Sequence, residues 1–598
     1  MGKGQIAGIS FAATIAALAP PSAISQTATF EDLQQGPQWT HAARASFYTT
    51  DQGSRMIPLA WLNGLIRANG QPFLADALAR YGYLPNPDSP NGLPVGFTAT
   101  GLPGVETVGM TCSACHTRQI TINGQAYRVD GGPALVDFEG LLTDLDSAIG
   151  SVLASDAAFA PFAARALSTP APDPDEVLSL RQDVASWYLR FHTLISRAMP
   201  DTPWGLGRLD AIGMIFDRLT GLDIGPPPSF IIANNIKKAD APARYPFLWN
   251  ASRQDRTQWP GFAANGSDVL ALGRNLGEVF GVFGVYEPKN YVVFVDYLNN
   301  NSANFEGLDR LEKLIKLIGP PQWQWPIDGD LKAKGEAIFN RDVKDGGCKE
   351  CHDSGPGQVR FPLEQTLKTP ITDAHTDTRE LGLLHWQVKT GSLKGAYIPF
   401  VTKSPLGETD SAFNTLATSV VGSIAGHVLL GGMHASVARI PLPQVELGMP
   451  IPQPNVHLPR ELRELETAFR GPEAIAANAV RPQSLAPPSA DASTQALYES
   501  RVMKGIWAAA PYLHNGSVPT LVELLKPASQ RVATFKVGPA YDLDSVGLAA
   551  EQPSALSTTR STTDCSDLNS GNSRCGHDFG TRLTVDEKKA LLEYLKSL

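Results

Sequence analysis

The sequence predicts a mainly α protein of two domains, with long loop-rich extensions and little β-structure. Three observations carry that expectation. Apolar residues recur at helical spacing near 138–166 and 176–198, in Leu308–Ile318 and again at the C-terminal end. Gly (54) and Pro (47) are plentiful enough to require many ordered loops between those helices. One short cysteine motif occurs twice, 236 residues apart (Cys112 to Cys348), with a stop signal, Gly319-Pro320-Pro321, between the copies.

The N-terminal segment reads as a secretory signal. It has one early cation, Lys3, an apolar run from Ile6 to Ala19, and Ala23 and Ser25 at −3 and −1 of a cleavage point before Gln26. The run is shorter than the ~20 residues of a spanning helix. The expectation is a periplasmic or secreted protein without a membrane span. Residues 1–25 are then the signal, 26–326 an N-terminal domain, and 327–598 a C-terminal domain with an insertion at about 360–490. Within that insertion, residues 440–460 are Pro-punctuated and cannot form a long helix. The net charge of −9 over 598 residues gives no electrostatic footprint for nucleic acid.

The six cysteines carry the chemistry. Cys112-Ser113-Ala114-Cys115-His116 and Cys348-Lys349-Glu350-Cys351-His352 are both Cys-x-x-Cys-His, the attachment signature of c-type haem. Two thiols about one turn apart add to the two vinyl groups of one porphyrin, and the next residue gives its imidazole to iron. With 6 Cys and 11 His, composition alone gives such a pentapeptide roughly 0.001 times in this length. A zinc site would need the two pairs to converge and would leave both histidines unexplained. A redox dithiol would need a βαβ context that the sequence does not suggest. The reading is two covalent haem c groups, held by Cys112 and Cys115 and by Cys348 and Cys351. His116 and His352 are then the proximal iron ligands. Cys565 and Cys575 lie in a polar Gly/Asn/Ser-rich loop, where a structural disulfide is the default and two free thiols the alternative.

Leu331–Asn340 reads as a helix preceding Cys348, with Gly335, Ile338 and Phe339 in it. Thr584 and Glu587 form a capping box ahead of a terminal helix striped by Leu591, Leu592, Leu595 and Leu598. These two elements resemble the first and last helices of a cytochrome c domain, which cross where a Gly permits close approach.

Gly505-Ile506-Trp507-Ala508-Ala509-Ala510-Pro511-Tyr512-Leu513-His514-Asn515-Gly516-Ser517 resembles the bacterial di-haem cytochrome c peroxidase superfamily. The length, the long first domain and Gly576-His577-Asp578-Phe579-Gly580 look more like its di-haem rubber oxygenase branch. A Met expected about fourteen residues after the Pro-Tyr-x-His segment in peroxidases is absent, and position 528 is Ala.

The resemblance implies that His577 is the distal ligand of the second haem, with His514 as the alternative. It implies an open first haem, an electron-storing second haem, a Trp between them (Trp249) and a Phe over the open iron (Phe262). Core packing is the alternative for both aromatics. The implied activity is O2-dependent oxidative cleavage of an unsaturated hydrophobic substrate, small or polymeric. The rivals are peroxide reduction, which needs a distal acid/base such as Glu or His, and plain electron transfer. A small redox protein is the implied electron donor. Calcium occurs between the haems of the peroxidase relatives, and nothing in this sequence marks a site for it.

Overall fold

The computed structural model describes residues 30–291, 294–352, 355–398, 401–402, 404–437, 464–465, 475 and 496–598. The signal segment and residues 440–460 lie outside the described residues.

The expectation of a mainly α fold with little β is corrected. The chain is about 38% helix and 17% strand, and among the described residues the strands form ten sheets of two or three strands each. The cause is short-range. Thr117–Ile122 and Gln125–Asp130 close a hairpin over Asn123-Gly124, both at positive φ (51° and 83°). An Asn-Gly pair between alternating runs is the hairpin signal that a helix-centred reading passes over. Phe30–Asp32 then adds in parallel to the outer edge of Gln125–Asp130. A second sheet of Ile57–Pro58, Thr107–Met110 and Phe97–Thr100 ends two residues before Cys112. The first Cys-x-x-Cys-His is thus a single tight turn, Cys112–Ala114, clamped between a sheet and a hairpin.

The helices fall near their expected positions with sharper boundaries. The 138–166 stretch is two helices, Phe138–Leu153 and Asp156–Ala166, because Ser155 caps the second. Pro174–Ala198 starts at Asp173, whose carboxylate accepts the Asp175 N–H, with Pro at the first position. Phe305–Ile315 follows the cap Asn304. The insertion also contains Ala412–Val437, a helix where loop was expected. Its first turns pack Phe413, Leu416 and Val420 into the same core as Leu276 and Phe280 of the helix Asp268–Gly281.

Gly329–Phe339 crosses Val585–Lys596, which carries the Thr584–Glu587 capping box. A Cβ on Gly335 would stand 2.0 Å from Ala590 O, so only Gly allows this crossing. One core gathers Phe47, Tyr48 and Trp249 from the first half of the chain with Trp507, Leu591 and Leu595 from the second. The two haem-motif regions therefore share buried packing.

Candidate functional site

The first motif sits against the segment 245–249. The His116 ring stands 6.2 Å from that of Tyr245, edge to face. Its Nδ1 lies 2.8 Å from Pro246 O. A carbonyl only accepts, so Nδ1 carries the proton and Nε2 keeps its lone pair. Burial lowers the His116 pKa to about 4. The side chain is a neutral imidazole oriented by its other nitrogen, the state an axial ligand needs. Burial raises the Cys115 thiol to about 12 and pushes Cys112 up as well. Thiols kept neutral by burial disfavour a thiolate metal site.

The second motif repeats the device. His352 Nδ1–H donates to Arg501 O at 2.9 Å, and burial lowers its pKa. Across from it stands His577, with ring centroids 6.3 Å apart and planes 42° apart. At about 2 Å per metal–imidazole bond, with about 1 Å more from nitrogen to ring centre, one iron between two imidazoles needs centroids about 6 Å apart. His577 has φ +51° and is held by its N–H to Ala374 O at 2.8 Å. Burial, then the nearby His352, lowers its pKa to about 3, and its Nδ1 has no hydrogen-bond partner. His514 borders the same cavity but lies flat on Tyr498, with centroids 4.1 Å apart.

The cavity between His352 and His577 fits a haem. Its walls include Ile506, Leu521, Leu524, Leu525, Leu591 and Leu595, with Cys348 and Cys351 at one edge. Arg244 and Arg501 border it, and Arg244 Nη1 and Arg501 Nε are buried without partners. Unpaired guanidinium donors beside an apolar slot suit the carboxylates of a porphyrin. Cys112 and Cys348 border different cavities, so the converging zinc arrangement does not form. Cys565 and Cys575 are joined by a disulfide, with Cα atoms 5.3 Å apart, two residues before His577.

The cavity beside His116 is bordered by Phe247, Gln258, Arg274, Glu278 and Arg501. Gln258, Arg274 and Glu278 also border an adjoining apolar cavity of Ile212, Phe216, Phe262, Phe413 and Val420. Phe262 packs edge-on against Phe413 there, with centroids 5.6 Å apart. Glu278 Oε1 accepts from Gln258 Nε2 at 3.2 Å. Burial raises its carboxyl pKa against the opposing pull of Arg274. Trp249 is fully buried, stacks on Phe247 at 4.8 Å and donates Nε1–H to Lys504 O. Phe247, not Trp249, borders both cavities.

Glu278, Gln258, Phe247 and Arg501 were not singled out from the sequence. A signal existed for the first: Glu278 is an acid in the last turns of a largely apolar helix, Asp268–Gly281, four residues after Arg274. Arg128, which follows the first motif, lies over the Phe30 ring at 4.5 Å.

A family model described as RoxA-like, cytochrome c-like, matches residues 497–536, which include His514. The uncharacterised protein y4iJ of Sinorhizobium fredii is 28% identical, over 94% of this chain and 92% of the relative. The uncharacterised protein y4iM of the same organism is 25% identical, over 70% of this chain and 77% of the relative. The cytochrome c-like match supports haem c binding and a haem-dependent oxidoreductase.

Proposed function

We propose an exported di-haem c oxidoreductase that uses O2 to cleave an unsaturated apolar substrate. The 26–326 region would hold the active haem through Cys112, Cys115 and His116. The 327–598 region would hold the electron-storing haem through Cys348, Cys351, His352 and His577. The observation that carries this reading is the apolar cavity of Ile212, Phe216, Phe262, Phe413 and Val420 that meets the His116 cavity. Such walls bind hydrocarbon and exclude the water that would discharge a reactive state. When bound beside Cys112, Cys115 and His116, a haem would supply the redox chemistry with O2. Phe262 and Phe413 orient the substrate. Gln258 holds Glu278 at the cavity junction, where burial raises its carboxyl pKa and so favours the protonated form that could act as a donor.

Glu278 also favours a second reading. A buried carboxyl beside an open haem is the acid/base that peroxide reduction requires. The test is the optical spectrum of the anaerobically reduced protein as O2 is admitted, repeated with hydrogen peroxide. A persistent ferrous–oxy band that CO displaces supports the oxygenase reading. Prompt oxidation of both haems by O2 without that band, with fast peroxide turnover abolished by Glu278→Gln, supports the peroxidase. No reaction with either, and six-coordinate iron at both sites, leaves electron transfer.

A further inference from the structure

The two proximal histidines are anchored on segments that are bonded to each other. His116 Nδ1–H donates to Pro246 O at 2.8 Å. The carbonyl of the next residue, Phe247, accepts from Arg501 Nη2 at 2.9 Å. The carbonyl of Arg501 itself accepts from His352 Nδ1 at 2.9 Å. Three hydrogen bonds and the short covalent stretches between them thus join the two imidazoles. Arg501 is held on this line from its other side by Glu499 Oε1 at 2.7 Å. Its guanidinium lies 4.6 Å from the Phe247 ring and 5.3 Å from that of Trp259. Among the described residues, Arg501 and Phe247 are the two that border both cavities.

We propose that Arg501 is the positioning residue that couples the two centres. It completes the hydrogen-bonded route between His116 and His352, and its guanidinium, paired on one side with Glu499, is the cation that borders both cavities. The inference rests on the di-haem reading and deepens it. In the transfer, one side loses a single electron and the other gains it, while Arg501 neither gains nor loses an electron or a proton. The charge favours the reduced state on both sides, because reduction removes a positive charge next to a buried cation. Trp249 is one ring removed: it stacks on Phe247 and stiffens the segment without joining the line.

The test uses the purified, haem-loaded full chain as wild type, R501K, R501Q and W249F. Mass spectrometry first counts covalent haems, and one haem instead of two overturns the di-haem reading and this inference with it. With two present, spectropotentiometry gives both midpoint potentials, and photolysis of CO from the half-reduced protein gives the inter-haem transfer rate. R501Q is expected to slow transfer and to shift each one-electron equilibrium by about tenfold, about 59 mV toward lower potential. R501K keeps the charge but cannot reach both Phe247 O and Glu499, so its potentials stay near wild type while transfer slows. Unchanged transfer in R501K and R501Q overturns the route, as does a larger slowing in W249F than in either. If R501Q yields no folded protein, R501K alone decides.

Discussion

Gly335→Ala tests the helix crossing that supports the second cavity. The added Cβ would meet Ala590 O at 2.0 Å and Tyr594 Cβ at 2.8 Å. Moving the carbonyl out to the 3.4 Å of ordinary contact requires a shift of 1.4 Å between the two helices. The obstacle is backbone, so no rotamer change relieves it. Overpacking of this kind costs about 1–3 kcal/mol, with this site at the upper end. Replacing Gly by Ala inside a helix returns at most about 1 kcal/mol. The net is a loss of about 2 kcal/mol, or about 4–8 °C in Tm for a domain of 150–250 residues. Leu591 and Leu595 sit on the displaced helix and border the cavity of His352, so the optical band of that haem should broaden as well. The control is Gly329→Ala at the start of the same helix, where a Cβ meets nothing within 4 Å. Thermal melts followed at 222 nm compare the two. A Gly335→Ala protein as stable as wild type would show that the crossing is not as tight as the packing argument requires.

Four further outcomes are expected. His577→Ala should convert the second haem from six-coordinate low-spin, while His514→Ala should leave its spectrum in place; the reverse result exchanges their roles. Glu278→Gln should slow peroxide turnover severalfold and leave the haem count by mass unchanged; undiminished peroxide turnover removes it as acid/base. Burial raises Asp210 to about 7 and Asp223 to about 6 in the folded chain, above their unfolded values. The folded state then holds protons that the unfolded state has released, so stability present below about pH 4 is lost as pH rises toward 7. Asp210→Asn keeps an acceptor for the Gly213 N–H but loses the one for the Ala241 N–H, so it should lower Tm overall while flattening its fall over that window, and an unchanged slope would refute the assignment. Removing the Cys565–Cys575 bridge with a double Ser variant should cost about 2–3 kcal/mol for so short a loop. It should also loosen His577, seen as partial high-spin character, and an unperturbed low-spin spectrum would show that the bridge does not position that residue.

The long helices were legible because burial of one face writes a 3.6-residue period into the sequence, as in Leu308, Leu311 and Ile315. The small strands were not. Most span two to four residues, too few to establish a period, and partners such as Ile371–Asp373 and Leu497–Glu499 lie far apart in the chain. The Asn123-Gly124 hairpin is the exception, because its turn signal is local. At the site, the two attachment motifs are local and therefore visible. Phe247 and Arg501 gain their meaning from a contact across 254 residues, which no local pattern encodes. Glu278 lies between these cases: its residue type marked a possible acid, but only its place at the junction of two cavities gives that acid a task.

The charge around one buried turn opposes that of the whole chain. The net charge is −9, yet the turn Ala510–Gly516 is held by four buried guanidiniums. Arg118 donates to Ala510 O, Arg244 Nε to Leu513 O at 3.0 Å, Arg208 to Asn515 O at 3.3 Å and Arg560 to Gly516 O at 2.8 Å. Their partners in this turn are carbonyls, not carboxylates. Leu513 and Gly516 both have positive φ, so the turn aims its carbonyls outward where only donors can satisfy them. Arginine supplies several fixed donors per side chain and stays charged where lysine would not. Even so, burial pulls Arg118 and Arg208 down to about 10 and Arg244 to about 9. That cost is offset if an anionic group lies within reach, and Arg244, which borders the His352 cavity, still has Nη1 unpaired. Carboxylates on a porphyrin would meet that donor, lower the energy of the charged turn and tie its folding to cofactor binding. The same positive surroundings favour the reduced form of a buried iron. One arrangement of arginines therefore serves both to hold the turn and to set the electrostatics of the cavity beside it.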